Sequence, residues 1–462
     1  MNDAVFDADL ISRYGGQGPR YTSYPTAVQF GSEFNAADYE REALLSNQDP
    51  IPGPLSIYVH IPFCHSLCYY CGCSKLVTRH PERAESYLQK LLEEVRLQGK
   101  LFDQDRKVGQ LHMGGGTPTY FDNQQLERLM TGLSESFQLV GDGSQEYSIE
   151  LDPRTVDAER LHRIADSGFN RISLGVQDFD EQVQKAINRV QPVELTLALI
   201  REAPATGIES VSVDLIYGLP LQTPDSFSRT LDIMIEARPD RLAIYSYAHM
   251  PRLFRAQRLI RSEDLPDPAM RLEILQLIVS RLTAAGYVYI GMDHFALPGD
   301  ELCLAMKSGC LQRNFQGYST RAGWDLIGMG SSAISKVGSC FSQHVKSVQQ
   351  YNQSLDAGRL PVERGLMLSA EDHLRAQLIQ RIMCGGRLDY RQLDEEYSID
   401  FRRKFATEIA ALEKLDKDGL VELHADYLQV TGKGRFLLRS IAMVFDAYLQ
   451  HRDNRKRFSK IV

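Results

Sequence analysis

Residues 55–73 read LSIYVHIPFCHSLCYYCGC, a strand-like run that leads directly into a loop holding four of the chain's eight cysteines. Three of them, Cys64, Cys68 and Cys71, have the spacing C-x3-C-x2-C, which differs from the paired C-x2-C knuckles of structural zinc sites. Three thiolates on one loop can hold three corners of a [4Fe–4S] cube and leave the fourth iron open to a substrate or cofactor. The spacing therefore predicts a cluster that takes part in chemistry.

Zinc is the main alternative, since four ligands could be drawn from Cys64, His65, Cys68, Cys71 and Cys73. Disulfides are disfavoured because the other four cysteines are scattered along the chain without a secretory signal. The N-terminus lacks a basic region followed by an apolar one, and no uncharged apolar run is long enough to cross a membrane. We therefore expect a cytoplasmic protein without a membrane span, in which thiols stay reduced.

The composition is that of an ordinary globular protein of two or three domains, with 462 residues, 43% hydrophobic and 24% charged. Its 52 basic and 60 acidic residues give a net charge of −8, which disfavours a general nucleic-acid binder. A local basic pocket for an anionic ligand is compatible with that charge.

Strand-like runs alternate with amphipathic helical stretches from about residue 54. The predicted strands are Leu55–Ile61, Gln110–Met113, Tyr147–Leu151, Arg171–Val176, Ser210–Tyr217, Arg241–Tyr247 and Tyr287–Met292. The predicted helices include Ala84–Gln98, Gln124–Phe137, Ala158–Ser167, Ser226–Ala237 and Ala269–Ala285. This alternation indicates an α/β fold with a parallel sheet and right-handed crossovers, and six or so units fit a full or partial βα barrel.

Polar residues gather at the ends of these strands, where βα barrels carry their working residues. The cysteine loop follows the first strand and the glycine run Gly114–Thr119 follows the second. The later strands end at Glu150, Asp152, Gln177, Asp178, Asp214, Tyr217 and Tyr247–His249. The glycine run alone could be a tight turn or a place where backbone N–H groups approach a ligand, and it is neither G-x-G-x-x-G nor a Walker A sequence. Six successive strands that end in this way predict one shared site.

The βα rhythm stops after about residue 360. Helical stretches at 370–383 and 402–416 lead into short strands at 419–423 and 427–431, an order that resembles a winged helix. We therefore predict an N-terminal arm over residues 1–50, a catalytic barrel domain over 51–360, and a mostly helical, winged-helix-like domain over 361–462.

The cysteine spacing on the first βα loop resembles the signature of radical S-adenosylmethionine enzymes, in which the open iron is chelated by the methionine moiety. Further segments resemble the oxygen-independent coproporphyrinogen III oxidase family, in family order from about residue 18 to 335. They are GPRYTSYPT at 18–26, the segments at 62–73 and 114–120, GVQDF at 175–179, DLIYGLP at 214–220, GMDHF at 291–295 and RNFQGY at 313–318. The resemblance implies a partial parallel βα barrel of the radical S-adenosylmethionine type, with about six βα units.

The resemblance also implies roles for the residues at matching positions. Cys64, Cys68 and Cys71 would ligate one [4Fe–4S] cluster per chain, and Glu150 would accept polar hydrogens of the cofactor. The residues implied to line the cluster-bound S-adenosylmethionine are Tyr58, Gly115, Glu150 and Ile334. Those implied for a second S-adenosylmethionine are Tyr70, Gly116, Thr117, Gln177, Arg189, Asp214 and Ala248. Phe315 and Gln316 match residues that the family needs for activity.

The implied reaction is the anaerobic oxidative decarboxylation of the ring A and B propionates of coproporphyrinogen III to the vinyl groups of protoporphyrinogen IX, a step of haem biosynthesis. A 5′-deoxyadenosyl radical would abstract hydrogen from the β-carbon of a propionate, and loss of one electron and CO2 would leave the vinyl group. Because the substrate carries four carboxylates, we expect a basic pocket. Its candidates are Arg20, Lys75, Arg79 and Arg313. The sequence names no electron donor or acceptor, and we expect a monomer.

Cys73 separates this chain from close relatives. Proteins that resemble the haem chaperone branch of the family share C-x3-C-x2-C, but typically lack a cysteine two residues later and the Arg313–Gln316 segment. Both are present here, so the sequence favours the oxidase over a haem-binding chaperone without decarboxylase activity. We expect Cys73 to serve turnover and not to ligate iron. The other alternative is a zinc-stabilised barrel protein with no redox role.

Overall fold

The computed structural model describes residues 4–321, 323–449 and 458. They fall into two compact units, each built from separate stretches of chain. The sheet unit contains Gln29–Pro266 and Gly323–Met367, and the second unit contains Met1–Val28, Asp267–Ala322 and Leu368–Val462. The division into three consecutive segments stays a prediction. The outermost residues of its first and last segments, 1–3 and 450–462 apart from 458, lie outside the described residues.

The sheet unit is organised around a parallel sheet. Its main strands are β1 (Leu55–Ile61), β2 (Lys107–Gly115), β3 (Glu146–Leu151), β4 (Arg171–Gln177), β5 (Ser210–Tyr217), β6 (Arg241–Ser246), β7 (Asp325–Met329), β8 (Ile334–Val337), β9 (Cys340–His344) and β10 (Val362–Met367). The first six are parallel and stand side by side in chain order, and β7 continues the parallel pairing on the other side of β1. Strands β8 to β10 extend this edge in antiparallel pairs.

The sheet unit also contains helices, most of which connect its parallel strands. They are α1 (Ala36–Ser46), α2 (Pro81–Gly99), α3 (Asn123–Ser136), α4 (Ala158–Asp166), α5 (Glu181–Ala186), α6 (Val193–Glu202), α7 (Pro224–Ala237) and α8 (Val348–Asp356). Local sequence explains where several of them begin: Asp122 and Thr223 each form a capping box with the third helical residue, which satisfies backbone N–H groups that have no partner in the first turn.

The core of the sheet unit lies along the central parallel strands. Ile57, Val59, Leu111, Ile149 and Val213 are 0% exposed, as expected for strands covered on both faces. Six strands of consecutive order with helical connections confirm the predicted partial βα barrel. The antiparallel strands β8 to β10 were not predicted, and the seventh predicted strand belongs to the second unit, where Val288–Gly291 forms a hairpin with His294–Ala296.

The second unit is mostly helical, and its core contains Leu378, Leu388, Leu393, Phe401 and Leu412. Its main helices are Ala8–Tyr14, Pro268–Ala284, Glu301–Ser308, Ala370–Gln380, Tyr390–Tyr397, Phe401–Lys404, Ala406–Lys417 and Leu438–Ala442. The strands Arg387–Asp389, Tyr427–Val430 and Val421–Leu423 form a small antiparallel sheet that resembles the wing of a winged helix. A second hairpin joins Gln312–Asn314 to Gly317–Ser319. None of the described helices has the length and apolar character needed to cross a membrane.

Candidate active site

The cysteine loop leaves the carboxyl end of β1 and lines a cavity of about 760 Å³ in the sheet unit. Cys64 and Cys68 are buried, Cys71 is half-buried and Cys73 is exposed, and none of the four is in a disulfide. The first three thiols each accept a hydrogen bond: Cys64 Sγ from Thr117 Oγ1 at 3.7 Å, Cys68 Sγ from Arg189 Nη1 at 3.6 Å, and Cys71 Sγ from the Cys73 N–H at 3.4 Å. The predicted ligands therefore share one cavity, each with its own donor.

The electrostatic environments of these thiols differ. Burial raises the pKa of Cys64 to about 11, whereas the hydrogen bond with Cys73, followed by the nearby Lys75 ammonium, holds the pKa of Cys71 far below its usual range. Lys75 also fixes the loop, because its ammonium donates to the Cys71 carbonyl at 3.1 Å. Cys71 is thus more readily ionised than Cys64 before any metal binds.

The glycine run after β2 packs against the start of the cysteine loop. The N–H groups of Gly116 and Thr117 donate to the carbonyls of Ile61 and Phe63 at 2.9 and 2.8 Å. A Cβ on Gly116 would lie 2.6 Å from the Phe63 carbonyl oxygen, so a side chain there would force the two loops apart. Gly115 has φ +117°, which favours glycine. The run therefore lets two backbone segments pack closely, and the approach of its N–H groups to a ligand stays a prediction.

Glu150, at the end of β3, is held by groups from the neighbouring strand. It accepts hydrogen bonds from His112 Nε2 at 3.2 Å and from the Gly115 N–H at 3.2 Å. Burial acts to raise the pKa of Glu150, but the hydrogen bond and the charge of His112 outweigh it, so the pKa is lowered. His112 in turn stacks on the Tyr58 ring at 5.8 Å. The carboxylate is consequently ionised and oriented at the cavity wall.

Arg189, in the segment between α5 and α6, forms a second polar cluster with Asp152, which directly follows β3. It is 6% exposed and pairs with Asp152, Nη1 to Oδ2 at 3.1 Å, while Arg154 binds the same carboxylate at 2.6 Å. Asp214, within β5, accepts a hydrogen bond from Ser173, with Oγ to Oδ2 at 3.3 Å. Burial, followed by the charge of Glu150, raises the pKa of Asp214 to about 7. The cavity thus holds two carboxyl groups whose pKa is lowered, Glu150 and Asp152, and one, Asp214, whose pKa is raised to about 7.

Most of the predicted site residues line this cavity. They are Cys64, Cys68, Tyr70, Cys71, Cys73, Gly115, Gly116, Thr117, Glu150, Gln177, Arg189 and Asp214, together with Lys75 among the predicted basic residues. Tyr58, Ala248, Ile334 and Arg79 lie in the same unit but are not lining residues. Asp178 was predicted among the strand-end site residues, yet it is 0% exposed and bonds to Thr230 Oγ1 at 2.7 Å and to Gln222 Nε2 at 2.5 Å, which makes it a structural carboxylate.

The remaining predicted residues belong to the second unit. Phe315 and Gln316 form the turn of its hairpin, where the Gln316 N–H donates to Asn314 Oδ1 at 2.9 Å. Arg313 is 4% exposed and its Nε donates to the Arg20 carbonyl at 3.2 Å. Arg20 makes a close ion pair with Asp293.

Several residues that shape the site were missed by sequence reasoning. Asn188 Nδ2 donates to the Leu67 carbonyl at 2.8 Å and Gln257 Nε2 donates to the Tyr70 carbonyl at 2.9 Å, so both hold the cysteine loop from distant parts of the chain. Neither carries a sequence signal. His112 did carry one, since it is a histidine inside the predicted strand Gln110–Met113.

The donor set fits a cube better than a single zinc ion. Within the described part of the chain, no three or more Cys, His, Asp or Glu side chains converge as ligands of one ion would. A [4Fe–4S] cube distributes its cysteines over separate irons, so its thiols face a shared space without converging on one point. Three reduced thiols around an open cavity, each with a hydrogen-bond donor, match that arrangement.

Comparison with known proteins agrees with an iron–sulfur site and identifies the class of protein. A family model described as the radical SAM superfamily matches residues 58–234, and a model described as the HemN C-terminal domain matches residues 368–437. The class of protein is therefore that of radical S-adenosylmethionine enzymes, which bind a [4Fe–4S] cluster and S-adenosylmethionine.

Full-length relatives narrow this class. An oxygen-independent coproporphyrinogen III oxidase from Pseudomonas aeruginosa is 47% identical and covers 100% of both chains, and one from Escherichia coli K12 is 46% identical over 99% of this chain and 98% of its own. The solved structure of coproporphyrinogen III oxidase (HemN) from Escherichia coli, described as a radical SAM enzyme, superposes with a TM-score of 0.91 at 45% identity, covering 97% of this chain and 100% of that one. This chain belongs to the oxygen-independent coproporphyrinogen III oxidase family, which confirms the predicted resemblance.

Proposed function

We propose that this chain catalyses the oxygen-independent oxidative decarboxylation of coproporphyrinogen III to protoporphyrinogen IX in haem biosynthesis. The observation that carries the proposal is the set of three C-x3-C-x2-C thiols around the cavity at the carboxyl edge of the parallel sheet. This chain is also 47% identical, from end to end, to a relative named oxygen-independent coproporphyrinogen III oxidase. The chain is accordingly an oxidoreductase of the radical S-adenosylmethionine type.

Cys64, Cys68 and Cys71 are proposed to hold three irons of the cluster. When bound, the cluster and S-adenosylmethionine supply a carbon-centred radical for hydrogen abstraction from a propionate. The chain's own contribution is to ionise and orient the thiols: Lys75, Arg189, Thr117 and the loop backbone place positive or partly positive groups beside them. Such donors stabilise thiolate ligands and tune the potential of the group they hold.

The cavity walls are proposed to bind S-adenosylmethionine through two groups of residues. The ionised Glu150 is suited to accept hydrogen bonds from the cofactor, with Gly115 beside it and Tyr58 and Ile334 completing the set implied by the family. A second S-adenosylmethionine is assigned to Tyr70, Gly116, Thr117, Gln177, Arg189, Asp214 and Ala248. Of these, all but Ala248 line the same cavity as the thiols, which supports the assignment.

The substrate carboxylates require cations. Lys75 is a candidate within the cavity, and Arg20 and Arg313 are candidates in the second unit, where Arg313 has a buried Nη1 without a hydrogen-bond partner among the described residues. Arg79 is exposed and lines a separate surface hollow. Cys73, Phe315 and Gln316 are proposed to take part in turnover. We further propose a cytoplasmic monomer that takes its electron from an external donor, a location supported by eight unpaired cysteines.

Anaerobic turnover tests this function. The protein is reconstituted with iron and sulfide, supplied with coproporphyrinogen III, S-adenosylmethionine and dithionite, and its products are identified by mass. We expect successive loss of two CO2 per substrate. Recovery of unchanged coproporphyrinogen III from protein that carries a full cluster would contradict the proposal.

A further inference from the structure

Two adjoining hollows lie on the outer surface of the sheet unit beside the cysteine loop. One, of about 510 Å³, is lined by residues 65–67, 77–80, 83 and 188, and the other, of about 790 Å³, by residues 62–63, 74–76, 82–83, 86, 346–349 and 352. Arg83 lines both, so the hollows form one continuous surface. Lys75 also lines the cavity of the thiols, but the reaction chemistry described above makes no use of Val77, Arg83 or Lys346.

This surface is basic in a chain with a net charge of −8. Arg79, Arg83 and Lys346 are exposed, and in the described part of the chain none of them has a carboxylate partner. Glu82 is the acidic lining residue of the two hollows, and its carboxylate already pairs with His80 Nδ1 at 2.9 Å. Exposed Val77, 40% accessible, lies among these cations. We call Arg79, Arg83 and Lys346 with Val77 the basic surface.

Two helix N-termini add to the positive potential. Arg83 is in the first turn of α2, a helix of 19 residues, and Lys346 precedes α8, a helix of 9 residues whose N-cap is Ser347. The two helices run in the same direction, because the ring centroids of Tyr87 and Tyr351 lie 5.2 Å apart and Lys90 pairs with Asp356 at 2.6 Å. Their N-terminal ends therefore coincide, and each dipole has its positive pole at this end.

The basic surface is directly coupled to the cysteine loop. Val77 pairs with Cys64 in a short parallel ladder, and the Thr78 N–H donates to the Cys64 carbonyl at 3.1 Å. Neighbouring strands are about 4.8 Å apart. A molecule seated over Val77 would thus be one strand away from the backbone of a proposed cluster ligand, on a path that does not pass through the substrate cavity.

We propose that the basic surface docks a small acidic electron-transfer protein that reduces the cluster. The inference rests on the proposed function, since a redox cluster needs an external one-electron donor. One electron passes from the reduced carrier, which is oxidised by one electron, to the cluster, which is reduced by one, and no atom changes place. Complementary charge would steer the encounter and orient the carrier over Val77.

A pair of matched charge reversals tests the docking. Arg83→Glu/Lys346→Glu reverses the cations at the N-terminal ends of α2 and α8. Lys100→Glu/Arg359→Glu reverses exposed cations that follow the C-terminal ends of the same two helices and lowers the net charge equally. The reconstituted proteins are titrated with an acidic flavodoxin at low and high salt, and cluster reduction by flavodoxin hydroquinone and by dithionite is followed anaerobically by absorbance.

We expect Arg83→Glu/Lys346→Glu to weaken flavodoxin binding and to slow flavodoxin-driven cluster reduction by about tenfold or more at low salt, with a smaller difference at high salt. Iron content and reduction by dithionite should match wild type, and Lys100→Glu/Arg359→Glu should stay within about twofold of wild type. The neutral Arg83→Gln/Lys346→Gln variant should give an intermediate loss, and it provides the test if the charge reversal does not fold.

Equal losses in the two charge-reversal variants, wild-type binding by Arg83→Glu/Lys346→Glu, or no saturable binding to wild type would overturn the docking proposal. So would an equal slowing of reduction by dithionite, because the defect would then lie in the cluster. A protein that accepts electrons from flavodoxin but leaves coproporphyrinogen III unchanged would contradict the proposed function and leave the docking surface intact.

Discussion

Cys73 stands two positions beyond the third cysteine of the C-x3-C-x2-C triple, and its exposed side chain lines the same cavity. Its N–H donates to Cys71 Sγ, so its backbone already serves a neighbouring proposed ligand. We expect Cys73→Ser to keep wild-type iron and sulfide after reconstitution while turnover falls by about 10²–10⁴-fold, the range for loss of a group that moves a proton or hydrogen. Cys71→Ser, in contrast, should fail to assemble the cluster. Loss of iron from Cys73→Ser would assign it as a ligand and contradict this role.

Asp214 makes the stability of the cluster-free protein depend on pH. Its pKa of about 7 in the folded state lies above the value of 3.8 for an unperturbed group, so the folded chain holds an extra proton between these values. The free energy of unfolding should therefore fall as pH rises from about 4 to 7, by up to about 1.4 kcal/mol per pH unit. Glu150, His112 and Arg189 face this carboxyl group and set the size of the effect.

Urea unfolding of the cluster-free protein at pH 6 and pH 8 measures that dependence. Asp214→Asn should flatten the change between the two pH values, while Asp105→Asn, at an exposed loop position, should retain the wild-type change. Identical pH responses of wild type and Asp214→Asn would show that Asp214 is not the titrating group.

The contact between the glycine run and the cysteine loop depends on the absence of a side chain at Gly116. Gly116→Ala would bring a methyl group within 2.6 Å of the Phe63 carbonyl oxygen, whereas Gly141→Ala points into open space. We expect Gly116→Ala to cost about 1–3 kcal/mol of stability and to lower cluster occupancy, because the loop that carries the thiols must shift. Gly141→Ala should leave the thermal midpoint and the iron content of the reconstituted protein unchanged. Equal iron content in the two variants would argue against this coupling.

The parallel part of the fold was predictable because each βα unit has a local sequence signal. That signal is an apolar strand, a capped helix and a glycine that ends the helix. The antiparallel strands β8 to β10 could not be predicted, since these short strands extend the edge that β7 forms by pairing with β1. The local signals also allowed the motifs on β1 to β5 to be placed at one edge of the sheet. They did not identify the side chains that orient those motifs. Asn188 and Gln257 reach the cysteine loop through tertiary contacts that no local pattern records.

For the molecule as a whole, we expect the fold to form without a metal. The sheet unit is built on strands such as β1 to β5 whose core residues are 0% exposed, and the second unit has an apolar core of its own. We expect removal of the cluster by anaerobic chelation to leave the far-ultraviolet circular dichroism spectrum and a cooperative thermal transition in place. A zinc-stabilised protein would lose both, because structural metal binding contributes directly to folding.

Isotope transfer from substrate to cofactor tests the proposed reaction most directly. Coproporphyrinogen III deuterated at the β-carbons of its propionates is incubated anaerobically with the reconstituted protein, S-adenosylmethionine and reductant, and the 5′-deoxyadenosine formed is analysed by mass. If the chain directs hydrogen abstraction from those carbons, the 5′-deoxyadenosine gains deuterium as vinyl groups appear in the product. Vinyl product accompanied by unlabelled 5′-deoxyadenosine would contradict it.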